Sequence, residues 1–257
     1  MLTRDDLRVA AFTAHRNLPD IQDRIPVVGQ YTPSTRVVEA YRNGQHDKRR
    51  GLFAVSASNY SGTIKTDWLP VAAQLYDISP NPEDYVLVEV PIVTVDIPNR
   101  NMQGFTYEEV TCFNREAGRP VWSTFIGKPA CFEHKNDTAT DAQGINFDAT
   151  LRYIPEYDVY KIFVLSGFDR NKNSWLAEQI LSGKRKWYSM GALVSAFICS
   201  ICGSIETDKK KCECMRKYGK GAVLNGHVLW QVCSGSAYDE NSSVGDPADI
   251  TAGGDVL

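Results

Sequence analysis

Histidine is scarce in this chain: four of the 257 residues are histidine, at positions 15, 46, 134 and 227. Because an imidazole is the usual proton acceptor near neutral pH, acid–base chemistry in this protein rests on very few positions. The chain also has no excess of basic residues, since its formal net charge is −3. A nucleic acid is therefore not an expected partner.

Long apolar runs are absent as well. No segment approaches the roughly 18 consecutive apolar residues that indicate a membrane span. The first residues, Met1-Leu-Thr-Arg-Asp-Asp-Leu-Arg8, mix charged and apolar side chains, unlike a secretory signal. We therefore expect a cytosolic protein. The apolar share of 43% is enough for an ordinary core in one large domain or two small ones.

The composition divides the chain into three parts. Residues 1–34 are polar and interrupted by prolines, which predicts an N-terminal arm or leader. Residues 35–250 carry the strand and helix patterns and are expected to form the main domain. Residues 251–257 are small and acidic, which predicts a flexible C-terminal tail.

Strand patterns dominate the main domain, and one helix precedes its most informative segment. The helix is capped by Asn173 or Ser174 and ends at Gly183. An apolar strand is predicted to follow over 187–198. Alternating or β-branched runs predict further strands at 85–93, 121–126, 146–153 and 159–165.

A single serine, Ser189, lies at the start of that apolar strand, within Lys186-Trp-Tyr-Ser-Met-Gly-Ala-Leu-Val194. Upstream, His134 closes the apolar approach 130–132, whereas His15 and His46 lie in polar segments. Acidic residues follow Tyr238 downstream. A histidine, a serine and a carboxylate are the parts of a nucleophilic hydrolase, although from these residues alone a buried, unreactive serine is the stronger interpretation.

Three blocks of sequence resemble the prohead (head maturation) serine proteases of tailed bacteriophages, which are relatives of the herpesvirus assemblins. The first is Gly127-Lys-Pro-Ala-Cys-Phe-Glu-His134, similar to the apolar run that ends in the family's catalytic histidine. The second joins Phe168-Asp-Arg170 and the helix 175–182 to Tyr188-Ser-Met-Gly191. The third is Glu240-Asn-Ser-Ser-Val-Gly-Asp-Pro-Ala248. Together they cover roughly residues 85–250.

The resemblance implies catalytic roles for three residues. Ser189 is the nucleophile, His134 the general base and Glu240 the third member of the triad. Asp239 and His227 stay open for the third role, because Asp239 is adjacent and the herpesvirus relatives use a second histidine. The implied fold is α+β: a mainly antiparallel β barrel with surrounding helices.

The implied activity is that of a serine endopeptidase in phage head maturation. Its substrates would be scaffold and major capsid proteins and the protease itself, which would form a homo-oligomer. Its location would be the interior of the prohead or virion, in the cytoplasm of the bacterial host. No membrane or specific nucleic-acid partner is expected. The alternative is a non-catalytic virion or scaffold-associated structural protein with a zinc-ribbon interaction module.

Four of the seven cysteines form a cluster that indicates a metal site. Cys199, Cys202, Cys212 and Cys214 form a Cys-x-x-Cys and a Cys-x-Cys pair. In a reducing compartment this spacing favours tetrahedral zinc over disulfides. The sequence thus predicts a zinc-ribbon-like hairpin with four cysteine ligands, inserted at about 197–218.

The predicted zinc is structural, because four thiolates leave no open ligand position. Nearby lysines at 209–211 would offset the negative charge of the thiolates. A lysine-rich hairpin with incidental cysteines is the alternative. The insertion lies between Ser189 and Glu240, so folding around a metal would bring the strands that flank it together.

Overall fold

The structure is a computed structural model that describes residues 66–155, 157–206 and 211–257. The predicted arm at 1–34, the first part of the predicted main domain at 35–65 and the lysines at 209 and 210 lie outside the described residues. None of the helices in the described part has the length and the hydropathy needed to cross a lipid bilayer.

The fold is α+β and consists mostly of strands, as predicted. The strands are β1 (Tyr85–Thr94), β2 (Gln103–Gly104), β3 (Phe113–Asn114), β4 (Arg119–Pro120), β5 (Pro129–Phe132), β6 (Gly144–Ile154), β7 (Val159–Asp169), β8 (Trp187–Cys199), β9 (Ile205–Glu206), β10 (Val223–Leu224), β11 (His227–Val228), β12 (Gln231–Val244) and β13 (Asp255–Val256). The α-helices are α1 (Leu69–Tyr76), α2 (Tyr107–Thr111), α3 (Ser174–Leu181) and α4 (Glu213–Tyr218).

The structure has the helix predicted after Asn173 but not the strand predicted at 121–126. The helix at 174–181 has Asn173 as its N-cap, whose side chain accepts a hydrogen bond from the Leu176 amide at 3.0 Å. The segment Val121–Phe125 is a 3₁₀ helix and not the predicted strand. Its Ser123 and Thr124 hydroxyls bond to carbonyls three residues earlier, so local side-chain bonds favour the helical turn over a strand.

One large sheet contains most of the strands, in the order β13-β1-β7-β6-β5-β12-β8-β9, with β2 beside β12. Within the described residues this order has two ends, so the sheet is not closed into the predicted barrel. The sheet is also not wholly antiparallel, because β12 runs parallel to both β5 and β2. A bridge between Trp187 and Gly253, with backbone hydrogen bonds from Tyr188 to Ala252 and from Gly254 to Lys186, links β8 towards the other end of the sheet.

The main hydrophobic core lies between the sheet and its flanking helices. β1 is buried along nearly all of its length, as its almost continuous apolar sequence requires. Pro91 lies inside β1, next to a register shift against β7. Proline cannot donate to a sheet ladder, and the shift accommodates it. On the other side of the core, Leu176, Ala177 and Ile180 of α3 are buried.

The C-terminal residues do not form the flexible tail that we predicted. Ala252 is fully buried and β13 pairs with Val88 and Glu89 of β1. The small residues reflect close packing, because a Cβ at Gly254 would lie 2.6 Å from both Tyr188 and Val88. Low side-chain volume therefore allows this segment to dock.

A buried ionic cluster fixes the same segment to the sheet. The Lys161 ammonium donates to Thr94 Oγ1 at 2.8 Å and to the Thr251 hydroxyl, and lies 3.5 Å from Asp249 Oδ2. Burial lowers the pKa of Lys161, and the Asp249 carboxylate opposes that shift. A buried charge pair is tolerated only when its members are hydrogen-bonded, as these are.

We expect Gly144→Ala to destabilise the protein by about 3 kcal/mol, because overpacking against rigid backbone is costly. A Cβ at Gly144 would lie 1.9 Å from the carbonyl oxygen of Gly167 on the neighbouring strand. Urea denaturation measures the change. Gly245→Ala is the matched control, since its Cβ would meet only Glu133 Oε1 at 3.9 Å. Equal unfolding midpoints for the two variants would contradict the assigned β6–β7 packing.

Candidate active site and thiol cluster

Three neighbouring strands bring the predicted catalytic residues together. β12 lies in the middle, with β5 parallel on one side and β8 antiparallel on the other. Glu240 is on β12, Ser189 is on β8, and His134 follows the end of β5. Strand pairing thus brings three segments that are far apart in the sequence to neighbouring positions in the sheet.

His134 is presented by a tight turn at the end of β5. Glu133 and His134 have φ values of 49° and 58°, in the left-handed region that non-glycine residues seldom adopt. The Lys135 amide donates to the Phe132 carbonyl at 3.0 Å, which closes the turn. Two consecutive left-handed residues define a turn of type I′. Such strain costs about 1–3 kcal/mol per residue and persists only where neighbouring groups hold it.

Neighbouring groups hold the turn from two sides. On β12, the Ser243 carbonyl accepts a hydrogen bond from the Glu133 amide at 3.0 Å, and Ser242 Oγ accepts one from the His134 amide at 3.2 Å. On the other side, the Arg185 guanidinium pairs with Glu133 Oε1 at 2.5 Å and lies over the Phe132 ring. These bonds therefore fix the backbone of His134 independently of the contacts that its imidazole makes.

The His134 imidazole bonds to a buried carboxylate. Its Nδ1 lies 2.6 Å from Glu240 Oε1, and the side chains are 44% and 1% exposed respectively. The second oxygen of Glu240 accepts a hydrogen bond from the Ser242 hydroxyl. One edge of the imidazole is thus tied to a carboxylate in the protein, while the ring itself reaches the surface.

A register shift in β12 decides which acidic residue faces His134. Tyr238 pairs with Ala192 and Glu240 pairs with Gly191, so Asp239 is an extra residue between them. Bulges of this kind re-aim the next side chain and are common beside active sites. His227 is exposed and lies in the separate β10–β11 hairpin. Geometry favours Glu240 for the third role, which stays a prediction.

Gly191 is required by the close approach of Glu240. A Cβ at Gly191 would lie 2.9 Å from Glu240 Oε1 and 3.0 Å from its Cγ. Gly191, two residues after Ser189, therefore leaves room for the Glu240 side chain that bonds to His134.

Ser189 lies on the same face as this network. It pairs with Ser242 across the β8–β12 ladder, which places their Cβ atoms about 5 Å apart. Ser189 and His134 both line one cavity of about 230 Å³. Met190, Ala192 and Val194 of β8 form much of its apolar wall, while Asp249 also reaches it.

Comparison with protein-family models, with curated proteins and with solved structures gives no match. The proposed function therefore rests on the geometry of the candidate site and on the resemblance in the sequence.

Sequence reasoning did not assign a role to Ser242, although it lies within the third block. Its hydroxyl donates to Glu240 and accepts from the His134 amide, so one atom joins two of the proposed triad members. The signal was available, since Ser242 is two residues after Glu240 and on the same strand face. Without the strand register, however, nothing distinguished it from Ser243.

The four clustered cysteines do come together. Cys199 ends β8, Cys202 lies in the following turn, Cys212 caps α4 and Cys214 is within α4. Their sulfur atoms all lie within 4.8 Å of one another. A tetrahedral zinc site with Zn–S bonds of ~2.3 Å places sulfurs about 3.8 Å apart. The cluster therefore can hold a metal ion, as predicted.

The surroundings affect the four thiols differently, because burial raises the pKa of Cys199, Cys212 and Cys214, whereas that of Cys202 is lowered. Burial raises the pKa of Cys202, but its hydrogen bonds with Ser204 and with the thiols of Cys199 and Cys212 lower this pKa to about 7. Glu206 accepts hydrogen bonds from the Cys212 amide at 3.1 Å and from the Gln231 side chain at 2.8 Å. Glu206 thereby ties the cluster to β12.

The insertion is more than the predicted hairpin. After Cys199 the chain turns back as β9, forms α4, and then makes a separate β10–β11 hairpin before it enters β12. We call residues 199–228 the thiol module. Cys199, Met215 and Leu229 form a small core of their own, so apolar packing as well as the cysteines holds the module.

We expect the protein to bind one divalent metal per chain through the cysteine cluster. Reconstitution with Co²⁺ should give the absorption of a tetrahedral thiolate complex, and chelation should lower the melting temperature by several degrees, because the metal binds only the folded site. Cys202→Ser should abolish the cobalt spectrum. Cys112→Ser is the control, since Cys112 is an exposed cysteine outside the cluster. An unchanged melting temperature after chelation would exclude a structural metal.

Proposed function

We propose that this protein is a serine endopeptidase. The observation that carries the proposal is the 2.6 Å contact between His134 Nδ1 and the buried carboxylate of Glu240, with Ser189 on the adjacent strand lining the same cavity. A base oriented by a third group and a serine within the same cleft are the arrangement that activates a hydroxyl for attack on a carbonyl.

In the proposed mechanism, Ser189 Oγ attacks the carbonyl carbon of the peptide bond while His134 Nε2 takes the hydroxyl proton. His134 then gives this proton to the leaving amine, and the acyl group stays on Ser189. A water molecule, deprotonated by His134, releases the acid and restores the serine. Glu240 holds the imidazole in one tautomer and stabilises its charged form at each step.

The resemblance to prohead proteases supports a role in phage head maturation. In that role the substrates are scaffold and major capsid proteins and other copies of the protease. The place of action is the interior of the prohead in the bacterial cytoplasm. In the same proposal the sheet is an opened form of the family's barrel. The cysteine cluster holds a structural zinc ion, and the metal takes no part in the chemistry.

Ser189→Ala should abolish proteolysis, because it removes the nucleophile. Loss of a triad member lowers the rate by about 10⁴-fold or more. Cleavage of a co-expressed scaffold protein and covalent labelling of the purified protein by a fluorophosphonate probe both measure this. Ser195→Ala is the matched control on the same strand, since the Ser195 hydroxyl bonds to the Gly235 carbonyl instead. Undiminished cleavage by Ser189→Ala would exclude the proposed nucleophile.

Ser242→Ala should slow the acylation of Ser189 by about 10- to 100-fold, the effect of removing one hydrogen bond to a charged group. Glu240→Gln should have a larger effect, because an amide does not stabilise the charged imidazole. The rate of fluorophosphonate labelling measures both. Ser243→Ala is the control: Ser243 is the next residue, fully buried, and its hydroxyl has no partner among the described residues. Equal labelling of the Ser242 and Ser243 variants would refute the assigned role of Ser242.

A non-catalytic virion or scaffold-associated protein is the second candidate. The thiol module favours it, because a compact metal-binding unit is a common platform for interactions. The two candidates differ in what abolishes function. If metal removal abolishes partner binding while Ser189→Ala leaves every measured property unchanged, the interaction protein is the correct assignment.

A further inference from the structure

Among the described residues, one edge of β8 lacks a strand partner over most of its length. β12 pairs with β8 along the opposite edge from Trp187 to Cys199. On the open edge, β9 pairs only with Phe197 and Ile198, and a single bridge joins Trp187 to Gly253. In an antiparallel sheet, a strand directs the N–H and C=O groups of alternate residues towards one neighbour, and those of the residues between them towards the opposite edge. Within the described part of the chain, residues 189–196 therefore present unpaired backbone groups beside the proposed nucleophile.

The cavity at Ser189 has the lining that an extended peptide needs. Alternate residues of β8, Met190, Ala192 and Val194, supply an apolar wall. The polar residues Asn99, Asn101 and Gln103 line the same cavity. Main-chain pairing gives affinity in such strand additions, and the pockets between alternate side chains give specificity.

A second cavity of about 480 Å³ adjoins the first on the side of the thiol module. Gln103 and Phe197 line both cavities, so they mark the place where the two meet. Met215 and Lys220 of the module and Lys211 beside the cysteines line the second one. The distal part of the cleft thus has an apolar contact surface, the carboxylate of Glu206 with Lys211 near it, and a second lysine, Lys220.

We propose that the thiol module forms the far end of the substrate cleft. An extended, unfolded polypeptide adds to the open edge of β8 over residues 189–196, leaves that edge where β9 occupies it at Phe197 and Ile198, and continues into the second cavity against the module. This deepens the proposed function and rests on it for the position of the scissile bond. The stretch from Ser189 to Phe197 is about 26 Å long at ~3.3 Å per residue, so about eight substrate residues are needed to reach the module.

If the thiol module contacts the distal part of the substrate, the affinity for a peptide depends on the length of the peptide and on the charge of the module. A tetrapeptide spans only about 13 Å and does not reach the second cavity. Acidic residues in the distal part of a longer peptide are attracted by Lys220. The metal-loaded Ser189→Ala protein is the right form to test, because it binds peptides without cutting them.

Fluorescence anisotropy measures the affinity for fluorescein-labelled decapeptides of mixed sequence with acidic residues at one end. The affinity for the matching tetrapeptides is measured in the same way. We expect decapeptides to bind at least tenfold tighter. Adding Lys220→Glu should weaken decapeptide binding about threefold or more, the effect of a surface charge pair, and leave tetrapeptide binding unchanged. Lys217→Glu makes the same change of charge at a residue of α4 that does not line the second cavity. This variant should leave the affinities for both peptides unchanged.

Equal affinities for the two lengths, or equal effects of Lys220→Glu and Lys217→Glu, would overturn the proposal. The outcome is independent of catalysis. If the fluorophosphonate does not label Ser189 of the unaltered protein, the endopeptidase assignment fails, while the anisotropy measurement still decides whether the cleft binds long peptides.

Discussion

The antiparallel pairing of β8 with β12 is the constraint on which the rest of the candidate site depends. It sets Ser189 opposite Ser242 and Gly191 opposite Glu240. The same ladder carries β8 onward to Cys199, where the thiol module begins. A long two-stranded ladder therefore connects the proposed nucleophile, the carboxylate and the cysteine cluster within one rigid unit. The candidate triad at one end and the cysteine cluster at the other are thus held by the same ladder of backbone hydrogen bonds.

The His134 turn shows how the fold maintains an unfavourable conformation. Two left-handed non-glycine residues are stable here because β12 and Arg185 supply bonds that an isolated turn would lack. The ion pair of Arg185 with Glu133 has a further effect. The guanidinium is already neutralised by the protein's own carboxylate, so it is poorly suited to attract an acidic substrate residue.

Part of this arrangement could be predicted from the sequence. Apolar periodicity located β1, β6, β7 and β8, and a capping asparagine with a later glycine located α3. The cysteine spacing predicted a cluster that does assemble. These features are local, so a short window of sequence contains the physical cause.

What the sequence could not predict depends on contacts between distant segments. Nothing in residues 251–257 indicates that Gly254 fits between Tyr188 and Val88, and small acidic residues more often indicate a mobile end. Similarly, alternation predicts that neighbours on a strand face opposite sides, but not where an extra residue shifts the register. The choice between Asp239 and Glu240 therefore needed the pairing with β8.

The extra residue at Asp239 has a consequence for how this strand can vary in length. A chain without Asp239 would still place Glu240 opposite Gly191, because the ladder would simply become regular there. An inserted residue between Glu240 and Ser242, in contrast, would turn one of them to the opposite face and separate the carboxylate from the hydroxyl that supports it. Deletion of Asp239 is thus compatible with the geometry of the site, whereas an insertion between Glu240 and Ser242 is not.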